Sequence, residues 1–109
     1  MTEKNWFVMR PQKAQAFGRP EANGFLVRKG STAMREGSAR VKRDREERDR
    51  LVRQMVLVPD SDPDLYRFSC DYLFGSSSLA GGIVKDGNCS GPQSWRRPSD
   101  GKTIKEAIS

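Results

Sequence analysis

The stretch from Tyr66 to Ile104 constrains the fold most, because patterns for a strand, a helix and a turn follow one another there within a few residues. Residues 65–68 alternate apolar and polar side chains, which predicts a strand with one buried face. The serines at 76–78 favour the N-cap of a short helix over residues 79–85. Such closely spaced elements are typical of a small α+β domain.

The end of this stretch is centred on Trp95. Residues 93–97 are predicted to form a short strand around this ring, whose burial would contribute much to a small core. Asp100-Gly101 then predicts a tight turn, and residues 103–108 predict a last helical turn.

The first third of the chain predicts an antiparallel hairpin. Residues 6–10 and 24–28 are rich in the aromatic and β-branched side chains that favour strands. Asn23-Gly24 is a strong turn dipeptide between them, and residues 19–23 are predicted as loop. Gly30 is expected to end or bend the second strand. Together with residues 65–68, the hairpin predicts a small mixed or antiparallel sheet.

A charged helix is predicted over residues 39–55, with Ser38 as its N-cap. Acidic and basic side chains alternate there at four-residue spacing, as in Glu46 and Arg50. Each such pair stabilises an exposed helix by roughly 0.2–0.5 kcal/mol. Only the last turns, from Leu51 to Met55, show an apolar face, so the remainder is expected to face water.

The chain is 109 residues long, which suits one domain. We expect residues 1–4 to be a flexible tail and residues 5–109 to form a single α+β domain. No apolar run approaches the roughly 18 residues that span a bilayer, and the first residues lack a signal-peptide pattern. We therefore expect a cytoplasmic protein with no membrane partner.

Enzymatic chemistry is not expected from this sequence. The chain has no histidine, which removes the commonest base at neutral pH and the commonest metal ligand. Residues 101–103 resemble the end of a phosphate-binding loop, but Arg96 stands where its first glycine is required. The two cysteines, Cys70 and Cys89, match no zinc spacing. We therefore expect no catalytic residue, no metal, no cofactor and no small-molecule substrate.

Positive charge is concentrated in the first half of the chain. Residues 1–59 hold 14 Lys+Arg against 7 Asp+Glu, whereas residues 60–109 hold 6 against 7. The whole chain carries a formal charge of +6. Such an asymmetry favours either a polyanionic partner or a solubilising surface.

Trp95 and the two arginines after it form the best recognition cluster, since an aromatic ring can stack on a base while guanidinium groups contact phosphates. The alternative is that Trp95 is the main core aromatic and the arginines face solvent. The basic residues of the hairpin are expected to contact phosphates as well. The nucleic-acid-binding residues predicted in this way are Arg10, Lys13, Arg28, Lys29, Trp95, Arg96 and Arg97.

The charged helix supports a second hypothesis, in which the partner is a protein. The chain would then be a small adaptor or inhibitor, for example phage-encoded and acting on a host defence or nucleic-acid-processing complex. Alternating charges give specificity for a protein surface, whereas the acidic residues of the helix would repel phosphates. The partner-binding residues predicted on this hypothesis are Arg43, Glu47 and Arg50.

The order of several segments resembles a domain of unknown function that occurs in bacterial and phage proteins, alone or after a GIY-YIG nuclease domain. It is also similar to the RAMA domains, named for their association with restriction enzymes and adenine methylases. The resemblance covers about residues 5–106 and depends on order and spacing. The matching segments are FVMRPQKAQAFGRPEANGFLVRKGSTA, RDRLVRQMVL, YRFSCDYLFGSSSLAGGIV, then Gly91, Trp95 and DGKTI.

This resemblance implies a non-enzymatic accessory module that recognises DNA, with modified DNA as one expected ligand. The basic charge and the pairing of an aromatic residue with guanidinium groups agree with that expectation.

Overall fold

The computed structural model describes residues 6–35, 45–87 and 90–108. Within these ranges, seven strands form two antiparallel sheets and four helices complete a mixed α+β fold. The predicted α+β class is confirmed, although the strands divide into two sheets where the sequence suggested one. The strands are β1 (Phe7–Met9), β2 (Ala16–Glu21), β3 (Gly24–Val27), β4 (Thr32–Met34), β5 (Leu57–Pro59), β6 (Leu65–Phe68) and β7 (Tyr72–Phe74); the helices are α1 (Arg45–Arg53), α2 (Ser77–Lys85), α3 (Gly91–Ser94) and α4 (Ile104–Ile108).

The larger sheet has the strand order β1-β2-β3-β7. The predicted pairing of residues 6–10 with 24–28 is wrong, because β2 lies between β1 and β3. The hairpin at the centre of the sheet is formed by β2 and β3, which pair antiparallel with Glu21 opposite Gly24. Because β2 continues to Glu21, the loop predicted over residues 19–23 is wrong for its first three residues. Gly24 has a φ of 152°, and a Cβ on it would lie 2.0 Å from the carbonyl oxygen of Phe74. This position therefore requires glycine for β7 to pair with β3.

The smaller sheet has the strand order β4-β6-β5, and its central strand is the one predicted over residues 65–68. Strand β4 was not predicted, because Gly30 was expected to end regular structure. Two hydroxyl groups link the sheets at this point. The Ser31 Oγ accepts the Phe17 N–H at 2.9 Å, and the Thr32 Oγ1 accepts the Gln15 N–H at 2.8 Å.

Helix α2 begins at the predicted N-cap, since the Ser76 Oγ accepts the Leu79 N–H at 3.0 Å. Its buried residues pack into one core with apolar side chains from both sheets. These residues of α2 are Ala80, Gly81, Gly82, Ile83 and Val84.

The strand predicted over residues 93–97 is wrong. Residues 91–94 form the short helix α3, because Pro92 in its first turn has the φ that a helix start requires. Trp95 follows in extended backbone and is fully buried, with its ring centroid 4.7 Å from that of Phe25. Its indole Nε1–H donates to the Ser77 carbonyl oxygen at 3.1 Å. The interpretation of Trp95 as a core aromatic is the one that this geometry supports.

Helix α1 occupies the second half of the predicted charged helix, whereas Ser38 and Arg43 lie outside the described residues. The expectation that the charged part faces water is wrong at Arg48, which is 2% exposed. Its guanidinium donates to the carbonyl oxygens of Met34 and Ile83, and its Nε lies 3.8 Å from the Asp86 carboxylate. Arg48 therefore fastens α1 to β4 and to the end of α2.

The last turns of the charged helix were expected to pack against the core. Leu51 is fully buried as predicted, but Met55 lies beyond α1 at a φ of 63° and is 68% exposed. None of the helices in the described ranges is long and apolar enough to cross a membrane.

Candidate nucleic-acid interface

The larger sheet has two chemically different faces. Side chains alternate along a strand, and directly paired residues of antiparallel strands project to the same side. The face that carries Phe7, Val27 and Phe74 packs into the core with α2 and Trp95. The opposite side is called the outer face here. By strand register and its direct continuation, the outer face comprises Trp6, Val8, Arg10, Gln15, Phe17, Arg19, Glu21, Leu26, Arg28, Leu73 and Arg96.

One row of the outer face joins segments that are far apart in the sequence. Val8 lies opposite Phe17 in the strand ladder, and Arg96 pairs with Val8 on its other side. The Arg28 N–H donates to the Phe17 carbonyl oxygen at 2.8 Å, which extends the row to the next strand. Arg28 and Arg96 are thus separated by three strand spacings, or roughly 14 Å.

A second row is built around Trp6. The Cζ of Arg19 lies 4.9 Å from the Trp6 ring centroid, and the Cζ of Arg28 lies 5.4 Å from it. Arg28 also lies 4.7 Å from the centroid of the Phe17 ring. Guanidinium groups at such distances are attracted by the ring quadrupole, so the aromatic rings hold these cations in place on the sheet surface.

The outer face also carries apolar side chains that are not part of the core. Leu73 is 44% exposed, and Leu26 and Phe17 are partly buried. Trp6 and Val8 are buried but stand outside the main core cluster. Leu73 lies on the edge strand β7 and Arg19 on the inner strand β2, opposite Leu26, so apolar and cationic side chains are interspersed on this face.

The charge of the outer face is mostly positive. Arg10 donates its Nε–H to the Gln15 Oε1 at 2.9 Å, which places both side chains at one end of the face. Arg19 pairs with Glu21 at 2.6 Å. Among the residues assigned to this face, four are arginines and one is a carboxylate. Glu106 on α4 lies near Arg96, which contributes to lowering the Glu106 pKa after the larger effect of the Thr103 N–H.

The structure brings together three of the residues predicted from the sequence, namely Arg10, Arg28 and Arg96. Lys13 lies elsewhere, beside the smaller sheet, where its Nζ contacts Asp62 at 3.2 Å and Asp64 at 2.7 Å. These two carboxylates raise the Lys13 pKa by hydrogen bonding. An ammonium group held in this way is a poor candidate for a phosphate contact.

Trp95 requires a correction, because a fully buried ring offers no surface on which a base could stack. Lys29 is exposed in the turn after β3, with its backbone N–H bound to the Asp71 carboxylate. Arg97 forms a bidentate pair with Asp100, at 3.1 Å and 2.6 Å. Of the predicted Trp95–Arg96–Arg97 cluster, only Arg96 therefore reaches the outer face.

The Arg97–Asp100 pair has a measurable consequence at low pH. Arg97, and then the Lys102 N–H, lower the pKa of Asp100 to about 2. Because this value is below that of the unfolded chain, the pair stabilises the fold above about pH 4, and the stabilisation is lost as the pH falls through 2. We expect Arg97→Gln to raise the Asp100 pKa towards its ordinary range, as followed by ¹³C NMR of the carboxyl group.

Lys102→Gln is the control for that titration, because it removes a nearby cation and keeps the backbone N–H donor. It should move the Asp100 pKa less than Arg97→Gln does. An Asp100 that titrates near its ordinary value in the unmodified protein would contradict the pairing.

The residues of the alternative hypothesis are only partly described, since Arg43 lies outside the described ranges. Glu47 pairs with Arg50 one turn along α1 and accepts a hydrogen bond from the Tyr72 hydroxyl at 3.4 Å. These contacts are internal to the chain, and protein binding at this surface stays a prediction.

Sequence reasoning missed Trp6, Phe17 and Arg19. The available signal was the alternation around β1, in which Trp6 and Val8 project to one side while Phe7 and Met9 project to the other. A strand that is aromatic on both sides indicates two packing surfaces. The partners of Trp6 come from β2 and the residue after β3, so their approach depends on strand register and not on local sequence.

No curated protein and no solved structure matches this chain. A sequence model of one protein family does match, and it covers residues 7–108, which include both sheets and all four described helices. The chain therefore belongs to the family described as a domain of unknown function, DUF4357.

Proposed function

We propose that this domain binds nucleic acid through the outer face and does so without catalysing a reaction. The observation that supports this most is the convergence of Arg10, Arg28 and Arg96 on one side of a single sheet. They come from distant segments of the chain, and local sequence constraints alone do not bring them together. Arginine side chains are the commonest protein donors to phosphate oxygens.

The electrostatics of the face suit a polyanion. Four arginines and one carboxylate lie among the described residues of this face, and the backbones of Arg28 and Arg96 are roughly 14 Å apart. Cations that neutralise phosphates release condensed counterions, so binding of this kind weakens as salt rises. Electrostatic attraction supplies affinity for any nucleic acid, and the aromatic side chains of the face supply a second type of contact.

We include in this proposal a relation to the GIY-YIG-associated and RAMA domains. If that relation holds, modified DNA is one expected ligand, and its affinity should be compared with that of unmodified DNA. Recognition of a modified base requires contacts to base edges in addition to phosphate contacts.

The test is a fluorescence anisotropy titration of labelled oligonucleotides, both single-stranded and duplex, between 50 and 200 mM salt, a range over which binding through phosphate contacts weakens steeply. The double variant Arg10→Gln/Arg96→Gln is expected to bind roughly tenfold more weakly or worse. Its plot of log affinity against log salt should be less steep by about 1.4 to 1.8, since two phosphate contacts are lost.

Arg67→Gln is the matched control, because Arg67 is exposed on the smaller sheet, where it pairs with Asp60 at 3.5 Å. It removes one positive charge without touching the outer face. If Arg67→Gln lost as much affinity for its one charge as the double variant loses for each of its two, binding at the outer face would be contradicted. Absence of binding to every oligonucleotide at 50 mM salt, where such contacts are strong, would contradict the proposed function itself.

A further inference from the structure

The outer face contains more apolar surface than phosphate binding needs. Leu73 is 44% exposed on the edge strand β7, its partner Leu26 is partly open to solvent, and so is Phe17 on β2. Phosphate contacts require cations and N–H groups, and an apolar side chain gains nothing from lying against a phosphate. A ligand that covers these side chains favourably must present apolar or aromatic surface of its own.

The cations of the face are arranged for stacking as well as for charge. Trp6 is 7% exposed, and the guanidinium groups of Arg19 and Arg28 lie over its ring. Guanidinium planes stack on nucleobases as aromatic rings do. A base therefore meets the arginines that Trp6 holds, and it meets the Phe17 ring next to them.

Duplex DNA does not present its bases to such a surface. The major groove is about 12 Å wide and admits a helix or a two-stranded ribbon. The outer face extends over β1, β2 and β3 and the residue that pairs with β1, so Arg28 and Arg96 alone are roughly 14 Å apart. A duplex would place phosphates against Phe17, Leu26 and Leu73, whereas unpaired bases would cover them.

We infer that the outer face binds single-stranded nucleic acid, with unpaired bases stacking on Phe17 and on the arginines over Trp6. Arg10 and Arg96 contact phosphates at the β1 edge of this surface, since Arg96 pairs with Val8 and Arg10 lies two residues after it. The inference rests on the proposed function and specifies its ligand. We expect the bound segment to be short, since the RRM, whose sheet also has four strands, stacks two or three bases on its aromatic side chains.

The experiment compares labelled dT10, rU10, a ten-base-pair duplex and the same duplex carrying N6-methyladenine, all at one salt concentration. We expect the single strands to bind at least tenfold more tightly than both duplexes. A preference between dT10 and rU10 identifies DNA or RNA as the source, and either preference supports the inference. Equal or tighter binding of a duplex, modified or not, overturns the inference and leaves the proposed function standing.

A variant separates stacking from charge. Phe17→Leu keeps an apolar side chain and removes the ring, so single-strand affinity should fall about fivefold to a hundredfold with an unchanged salt dependence. Tyr66→Leu is the matched control, because the Tyr66 ring has Arg35 over it at 4.9 Å on the smaller sheet. Equal effects of both substitutions overturn the inference.

A second measurement uses the unmodified protein. The two tryptophans give separate indole N–H signals in a ¹⁵N–¹H spectrum. On addition of dT10 the Trp6 signal should move, while the signal of Trp95, which is fully buried, should stay in place. Binding of dT10 that leaves the Trp6 signal unmoved overturns the inference.

Discussion

Replacing Arg48 with methionine is expected to lower the free energy of unfolding by about 3–5 kcal/mol. Arg48 is 2% exposed, and its guanidinium donates to two buried carbonyl oxygens, those of Met34 and Ile83, beside the Asp86 carboxylate. Methionine fills a similar volume but removes the charge and these donors. The total stability of a small domain is about 5–15 kcal/mol, so the loss is a large share of it. Urea unfolding followed by circular dichroism measures the change.

Arg50→Met is the matched control in the same helix. The Arg50 side chain is 47% exposed and pairs with Glu47, so its loss should cost less than about 1 kcal/mol. If Arg48→Met were no more destabilising than Arg50→Met, the position of Arg48 as the residue that fastens α1 would be wrong.

Trp95→Ala is expected to destabilise the fold by about 3–5 kcal/mol. The ring is fully buried against Phe25, and its Nε1–H donates to the Ser77 carbonyl oxygen. Alanine removes the packing and leaves a cavity, and the carbonyl loses a donor. The midpoint of denaturant unfolding reports the loss.

Trp95→Phe separates the two contributions. It keeps an aromatic ring beside Phe25 and removes the indole donor, so we expect about 1–2 kcal/mol of destabilisation. A Trp95→Ala variant no less stable than Trp95→Phe would show that the cavity is negligible. That result would contradict the place of Trp95 at the centre of the core.

Patterns that act within a few residues were predicted correctly. Ser76 caps α2 because a serine oxygen can reach an N–H three residues later, and this depends on local geometry alone. At the predicted Asn23-Gly24 turn, residues 22 and 23 join β2 to β3, and Gly101 adopts a φ of 74° in the second predicted turn. The strand over residues 65–68 was also visible in the sequence.

Features that depend on pairing between distant segments were not predicted. Strand β4 is only three residues long and exists because β6, more than thirty residues later, pairs with it. Whether Arg96 lies beside Val8 or elsewhere is equally a matter of tertiary register. The sequence therefore identified Arg10, Arg28 and Arg96 as candidates but named the wrong tryptophan as their aromatic partner.

The burial of Arg48 had a signal that was overlooked. Arg48 precedes Leu51 by three positions and Val52 by four, so the three side chains share one side of α1. Leu51 is fully buried and Val52 packs against the core. An arginine in line with such residues is a candidate for an internal cation, even within a segment rich in charged side chains.

The hydroxyl groups of Ser31 and Thr32 limit how this domain could be dissected or transplanted. Ser31 receives the N–H of Phe17, so the residue that leads into the second sheet helps to fix a ring on the first. Thr32 does the same for Gln15, which in turn holds Arg10. A graft of the four strands onto another scaffold would have to carry both hydroxyls with it, or the aromatic and cationic groups would lose their spacing.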